Sequence, residues 1–151
     1  FNVYKGSDQT VADNTVTKLT FSEITDGDHS GRVINQGGLF ASDRFTVTST
    51  TVGIYAFHTN LLFEASADIA DSYLIWQKNG ANWTLNYPNA GYANSNRNGS
   101  FNASTIINLD TAGDYVEIHY FGDIGSSGTT LFNWGNNTTN QRVSWCGFKI
   151  A

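Results

Sequence analysis

Between Gly53 and Glu64 the chain alternates with period two, and few folds accommodate what it alternates. Counting by two from Gly53 places Tyr55, Phe57, Thr59, Leu61 and Phe63 on one face. The other face carries Ile54, Ala56, His58, Asn60 and Leu62. Successive side chains of a strand point to opposite sides of its sheet, so one side of this segment is an aromatic stripe. Such a stripe is buried against a second sheet or against another subunit. Residues 44–47 read as a preceding strand, joined to the stripe through the Thr- and Ser-rich turn at 48–51.

The rest of the chain repeats this grammar. Residues 1–5, 17–21, 72–78, 83–87, 105–109, 115–121, 131–134 and 143–150 read as further strands, and Asn79-Gly80 is a strong hairpin turn because both residues tolerate positive φ. Residues 22–38, 88–100, 122–128 and 136–141 read as loops. No segment sustains a 3.6-residue period, so almost no helix is expected. Many short strands separated by frequent turns predict an all-β antiparallel sandwich in one domain, residues 1–151. Seventeen Asn and seventeen Thr, with one Pro and no Met, suit a strand-rich fold with a polar surface. The opening Phe1, already inside a strand, reads as the start of a processed or partial chain, the C-terminal part of a longer parent.

The net charge is −5 and the eight basic residues are scattered, which argues against nucleic acid as a partner. No apolar run approaches the roughly 20 residues of a membrane helix, so no membrane insertion is expected. The single cysteine, Cys146, reads as a small buried thiol.

Several spaced motifs agree in order: Phe45 before a turn, Gly53-Ile54-Tyr55-Ala56-Phe57, Lys78-Asn79-Gly80, Ala112-Gly113-Asp114 before an apolar strand, and Trp145-Cys146-Gly147-Phe148 near the end. This pattern resembles the globular C1q-like domain of the C1q and tumour-necrosis-factor superfamily, of the type seen in bacteriophage virion proteins. Trp145 stands where the family has Phe, the loop from Tyr87 to Gly99 is unusually polar, and no Gly-X-Y stalk is present. The resemblance implies a jelly roll that assembles as a homotrimer through its inner sheets. Tyr55, Phe57, Tyr115, Tyr120, Trp145 and Phe148 offer more aromatic surface than one small core needs, and are candidates for core or trimer interface. Tyr115 and Tyr120 fall on opposite faces of one strand, so at least one belongs to the core.

Candidate chemistry is sparse. Asp26-Gly27-Asp28-His29 offers oxygen ligands but lacks the spacing of a calcium loop, and reads as a solvated turn. His29, His58 and His119 form no metal-binding pattern. Glu64 and Glu117 lie on expected strands and would be the acids of a glycosidase, but nothing sets their separation, and no Gly-x-Ser-x-Gly elbow exists. Asn82, Asn98, Asn102, Asn136 and Asn137 head Asn-x-Ser/Thr triplets, which matter only in a secreted eukaryotic chain. Tyr87, Tyr92 and Arg97 in one loop, and Trp134 in another, are candidate recognition residues for a sugar or a protein. The expected function is therefore non-enzymatic, without cofactor or metal. It is that of a trimeric virion structural protein: a capsid decoration or cement protein, or a tail-fibre attachment knob, contacting other virion proteins. The alternative is a secreted extracellular module binding a glycan or protein receptor. The expected location is correspondingly the virion or the extracellular space.

Replacing Tyr55 or Phe57 with Asp is expected to abolish the folded trimer, because a charge would enter a desolvated core or interface. Circular dichroism and size-exclusion chromatography check this; a well-folded trimer carrying either change would contradict the packing.

Overall fold

A computed structural model of the chain describes residues 1–5, 7–21, 34–87, 98–124, 129–132 and 143–151. They form two antiparallel sheets. The first is centred on β6 (Gly53–Ala65). One edge of β6 pairs along its length with β9 (Asn98–Leu109). Its other edge takes β12 (Ser144–Lys149) over residues 55–60 and β11 (Thr129–Phe132) over 63–65. Beyond these lie β1 (Asn2–Tyr4), on β12, and β2 (Gln9–Ala12), on β11.

The second sheet runs β4 (Phe40–Ala41), β5 (Arg44–Thr46), β10 (Tyr115–Ile124), β7 (Ile69–Lys78), β8 (Ala81–Asn86). The short β3 (Thr17–Lys18) shares an edge of β10 with β5. The chain changes sheet between β2 and β3, β5 and β6, β6 and β7, β8 and β9, β9 and β10, and β10 and β11. That antiparallel crossing pattern is a jelly-roll sandwich, the fold class read from the sequence. A single 3-10 turn at Gln36–Gly38 is the sole helical element among the described residues.

The core is the stripe of β6 meeting the second sheet. Tyr55, Phe57, Leu61 and Phe63 are buried, as are Phe101 and Ile107 of β9 and Trp145 of β12. Opposite them lie Phe45, Trp76, Ile118 and Tyr120. Phe57 and Trp76 stand 6.1 Å apart, Trp76 and Trp145 6.2 Å, and Phe63 and Tyr120 6.2 Å. These contacts cross between the sheets, so the aromatics themselves hold the sandwich closed. Thr59 interrupts the stripe without cost, since its hydroxyl donates to the Ser144 carbonyl at 2.7 Å. Gly147 is required here: a Cβ would sit 2.6 Å from the Phe57 ring and 2.7 Å from the Phe1 ring.

Two turns that the sequence sets 34 residues apart lock each other. Asn79 and Gly80 both take positive φ and close the β7–β8 hairpin. The Asn79 amide donates to Asp114 at 2.7 Å, and its carbonyl oxygen accepts from the Tyr115 backbone at 2.9 Å. Lys78 reaches Asp114 at 3.2 Å and the Asn108 carbonyl at 2.8 Å. The Asn79 hydrogen bond leads in holding the Asp114 carboxyl below the usual range; burial opposes it, while the Thr111 backbone and Lys78 reinforce it. At the chain's opening, buried Lys5 donates to Gln9 at 2.7 Å and to the Thr20 carbonyl at 2.9 Å, and burial lowers its pKa to about 8.

Several elements depart from the sequence reading. β2 and β4 were not expected, and β9 begins at Asn98, inside the segment read as a loop. Only Thr17–Lys18 of the strand expected at 17–21 pairs. Each short strand is polar or only two to four residues long, so alternation had little to act on.

Among the described residues the buried Trp145 indole nitrogen has no hydrogen-bond acceptor, its ring edge-on to Phe1 at 5.1 Å and Phe40 at 5.2 Å. Trp145→Phe removes that orphan donor while keeping an aromatic ring, so it is expected to change stability by only about 1 kcal/mol, whereas Trp145→Ala should cost about 3–5 kcal/mol. Urea denaturation distinguishes them; equal losses would contradict the orphan's cost.

Candidate functional site

Alternation that buries one side of β6 fixes what the outer side of the first sheet presents. Across β12, β6 and β9 the register sets Phe148 opposite Ala56 opposite Ile106. The adjoining row is Cys146, His58, Ser104. Phe148 is 65% exposed and Ile106 62%, with Ile54 and Ile150 also exposed. A shallow hollow of about 630 Å³ opens here, lined by Ala56, His58, Ser104, Ile106 and Phe148 among others. Its polar content is small: His58 Nδ1 lies 2.9 Å from the Ser104 hydroxyl. Cys146 is half-buried, and burial raises its thiol pKa.

A second apolar patch lies on a different surface, along the free edge of the second sheet. Trp83, Leu85 and Tyr87 are exposed there, on and just after β8. Trp83 is the residue passed over where β8 shifts register against β7 between Trp76 and Gln77, and it shares its alternation with exposed Leu85. Tyr87 meets Tyr73 edge-on at 5.9 Å, and Tyr73 stacks on Phe121 at 4.8 Å.

The third feature is a cleft of about 510 Å³ at the end of the sandwich, where the β5–β6 turn, the 3-10 turn and the end of β12 meet. Thr48, Thr50 and Thr51 supply hydroxyls, Gln36 an amide and Lys149 an ammonium. Phe148 walls both this cleft and the apolar hollow.

On the outer side of the second sheet Glu117 is a structural anion. Lys18 contacts it at 2.9 Å, Arg44 at 2.7 Å and His119 at 3.2 Å. These three come from β3, β5 and β10, so the carboxylate ties two short strands to the central one. Arg44 also lies 3.7 Å over the Tyr115 ring.

The six aromatic candidates are dispersed. Tyr55, Phe57, Tyr120 and Trp145 are core residues, and Tyr115 lies half-buried beneath Arg44 on the opposite face of its strand from Tyr120. Phe148 alone stands on an open face. The inference that these aromatics exceed one core's needs is thus corrected: interdigitation of rings from both sheets absorbs four of them. The free apolar surface comes instead from Ile54, Ile106, Phe148 and Ile150, of which Ile106 and Ile150 carried no motif.

Tyr87 ends the β8 edge patch, while Tyr92, Arg97 and Trp134 lie outside the described residues, as do Asp26, Asp28 and His29. His58 and His119 sit on opposite outer faces, and no cluster of three metal-ligating side chains occurs among the described residues. Glu64 and Glu117 likewise face outward from different sheets, separated by the whole sandwich, so they do not form an acid pair.

No protein-family model matches the chain, and no curated protein matches it. Among solved structures, murine APRIL at pH 8.5 is similar with a TM-score of 0.47 and 14% identity, over 87% of this chain and 97% of that one. The insecticidal delta-endotoxin Cry8Ea1 of Bacillus thuringiensis is similar with a TM-score of 0.37 and 14% identity, over 70% of this chain and 17% of that one. Both likenesses are partial, and the jelly roll described above stands on this chain's own strand order.

Burial alone would raise the Glu117 pKa, but hydrogen bonds from Lys18, Arg44 and His119 outweigh it and hold the carboxyl at about 2. A carboxylate whose folded pKa is depressed stabilises the fold above its unfolded value near 4.5, and loses that contribution as pH falls toward 2. Glu117→Gln is therefore expected to lower stability at pH 7 and to flatten the acid limb between pH 4.5 and 2. Thermal melts across that window check it; an unchanged acid limb would contradict the clamp.

Proposed function

We propose that this chain is a non-enzymatic structural or attachment module of a virus particle, acting as a closed homotrimer: a phage capsid decoration or cement protein, or the knob of a tail fibre. One observation carries the oligomer: each protomer bears two unlike apolar patches, the Ile54/Ile106/Phe148/Ile150 face and the Trp83/Leu85/Tyr87 edge. A two-fold pair brings identical patches together, whereas a three-fold ring needs two different ones, since every contact is head to tail. Patches on separate surfaces satisfy that need and would bury side chains otherwise left in water. The virion setting is supported by the Asn-, Thr- and Gly-rich composition without paired cysteines. Three copies held rigidly would present three identical loop sets, so weak contacts to a shell or a cell surface reinforce one another.

A second reading, a secreted module binding a glycan or receptor, is favoured by the hydroxyl-rich cleft beside Lys149.

Ile106 is exposed in the protomer, so Ile106→Glu is expected to leave the fold intact and convert the trimer into a 16.5 kDa monomer. Light scattering with circular dichroism measures both. A wild-type monomer, or a trimer that tolerates the glutamate, would contradict the face as interface.

A further inference from the structure

The cleft at the β5–β6 end brings three threonines, a glutamine and a lysine together around one hollow. We propose that it is a binding site for a carboxylated sugar, the terminal acidic unit of a glycan. The inference deepens the binding reading above by naming the place and the ligand class, and it does not depend on the trimer.

Charge comes first. The chain carries −5 overall, yet no Asp or Glu lines this cleft. Among the described basic side chains, Lys18 and Arg44 are committed to Glu117, Lys78 to Asp110 and Asp114, and Lys5 to Gln9 and Thr20. Lys149 is held by no ion pair or hydrogen bond among the described residues, and it lies at the cleft. The backbone makes room for it. Gly53 has φ +153, and a Cβ there would come within 2.4 Å of Lys149 Cε and 2.2 Å of the Ala151 carbonyl oxygen. The lysine stem therefore lies across a bare glycine, with its ammonium 3.1 Å from where a Gly53 Cβ would stand.

Hydroxyl chemistry comes second. Thr48 Oγ1 lies 3.2 Å from Thr50 Oγ1 and 3.0 Å from Thr51 Oγ1, a compact set of groups that both donate and accept. Gln36 lines the same space. The local backbone offers little to an extended peptide: Ile54 N–H donates to the Ala151 carbonyl at 2.8 Å, Ile150 N–H to the Ile54 carbonyl at 2.7 Å, and Val52 N–H to the Thr48 carbonyl at 3.1 Å. Recognition here falls to side-chain hydroxyls and an amide, which suits a polyhydroxylated ring. Phe148 supplies an exposed aromatic wall for the ring's apolar face. The volume of about 510 Å³ lies within the range of small-ligand sites. Because Phe148 divides the cleft from the apolar hollow, covering the hollow with a second copy leaves the cleft at the rim of that contact.

The test uses oligosaccharides ending in glucuronate or sialate, each beside its methyl ester, against the native assembly. The ester keeps the ring and its hydroxyls and removes the charge. The acids are expected to bind about tenfold more tightly than the esters, the scale of one charge-assisted hydrogen bond, and Lys149→Gln is expected to erase the difference without altering fold or mass. Amide shifts on titration should fall at Thr50, Thr51 and Lys149. Equal binding of acid and ester, or a preference that survives Lys149→Gln, overturns the site. No binding by an intact trimer overturns the site and leaves the trimer standing. Selective binding by a monomer upholds the site and removes the trimer.

Discussion

Everything in this structure is arranged around the burial of one face of β6. Tyr55, Phe57, Leu61 and Phe63 cannot remain in water, and the second sheet exists in the position that covers them. The pairing of β6 follows: β9 along one edge, β12 and β11 end to end along the other. With both edges used and one face buried, β6 has only its outer face left. That face is defined by the same period-two geometry as the core, so the apolar row of Phe148, Ala56 and Ile106 is the mirror consequence of the stripe. A slip of one residue would exchange the two faces and expose these four large side chains.

The motifs that recur along the sequence acquire physical reasons. Lys78-Asn79-Gly80 and Gly113-Asp114 are two halves of one hydrogen-bonded lock, in which Asn79 uses both ends of its amide. The lock also fixes β5, since Gly113 N–H donates to the Val47 carbonyl and Val47 N–H to the Asp114 carbonyl. Gly147 between Cys146 and Phe148 is the space beneath the Phe57 ring. On the far side of the sandwich the Glu117 clamp performs a similar task with charge, gathering β3 and β5 onto β10. Core, turn lock and clamp act on overlapping strands, so their contributions reinforce one framework.

Much of the fold was legible because strong alternation marks long strands. β6, β7 and β10 each carry three or more large residues at period two, and each was found where alternation placed it. The first half of β9 was hidden because its inward residues between Asn98 and Ser104 are few, Phe101 and Ala103, amid Asn, Ser and Gly. The candidate sites were less legible. Aromatic count suggested an interface, whereas ring interdigitation across the sheets consumed most of those residues. The exposed isoleucines were visible in the sequence, but only register reveals that Ile106 and Phe148 flank Ala56 in one row. The cleft draws on Gln36, Thr50 and Lys149, which are more than ninety residues apart at their extremes and share no motif. Only closure of the sandwich brings them together.

The central claim is that two unlike apolar patches meet between copies. Carbene footprinting of the native assembly, compared with the same chain under mild dissociating conditions, tests it at single-residue level. The account predicts strong protection in the assembly at Ile106 and Phe148 on the sheet face and, in the same sample, at Trp83 and Leu85 on the β8 edge. Either patch remaining as fully labelled in the assembly as in the separated chain would contradict it.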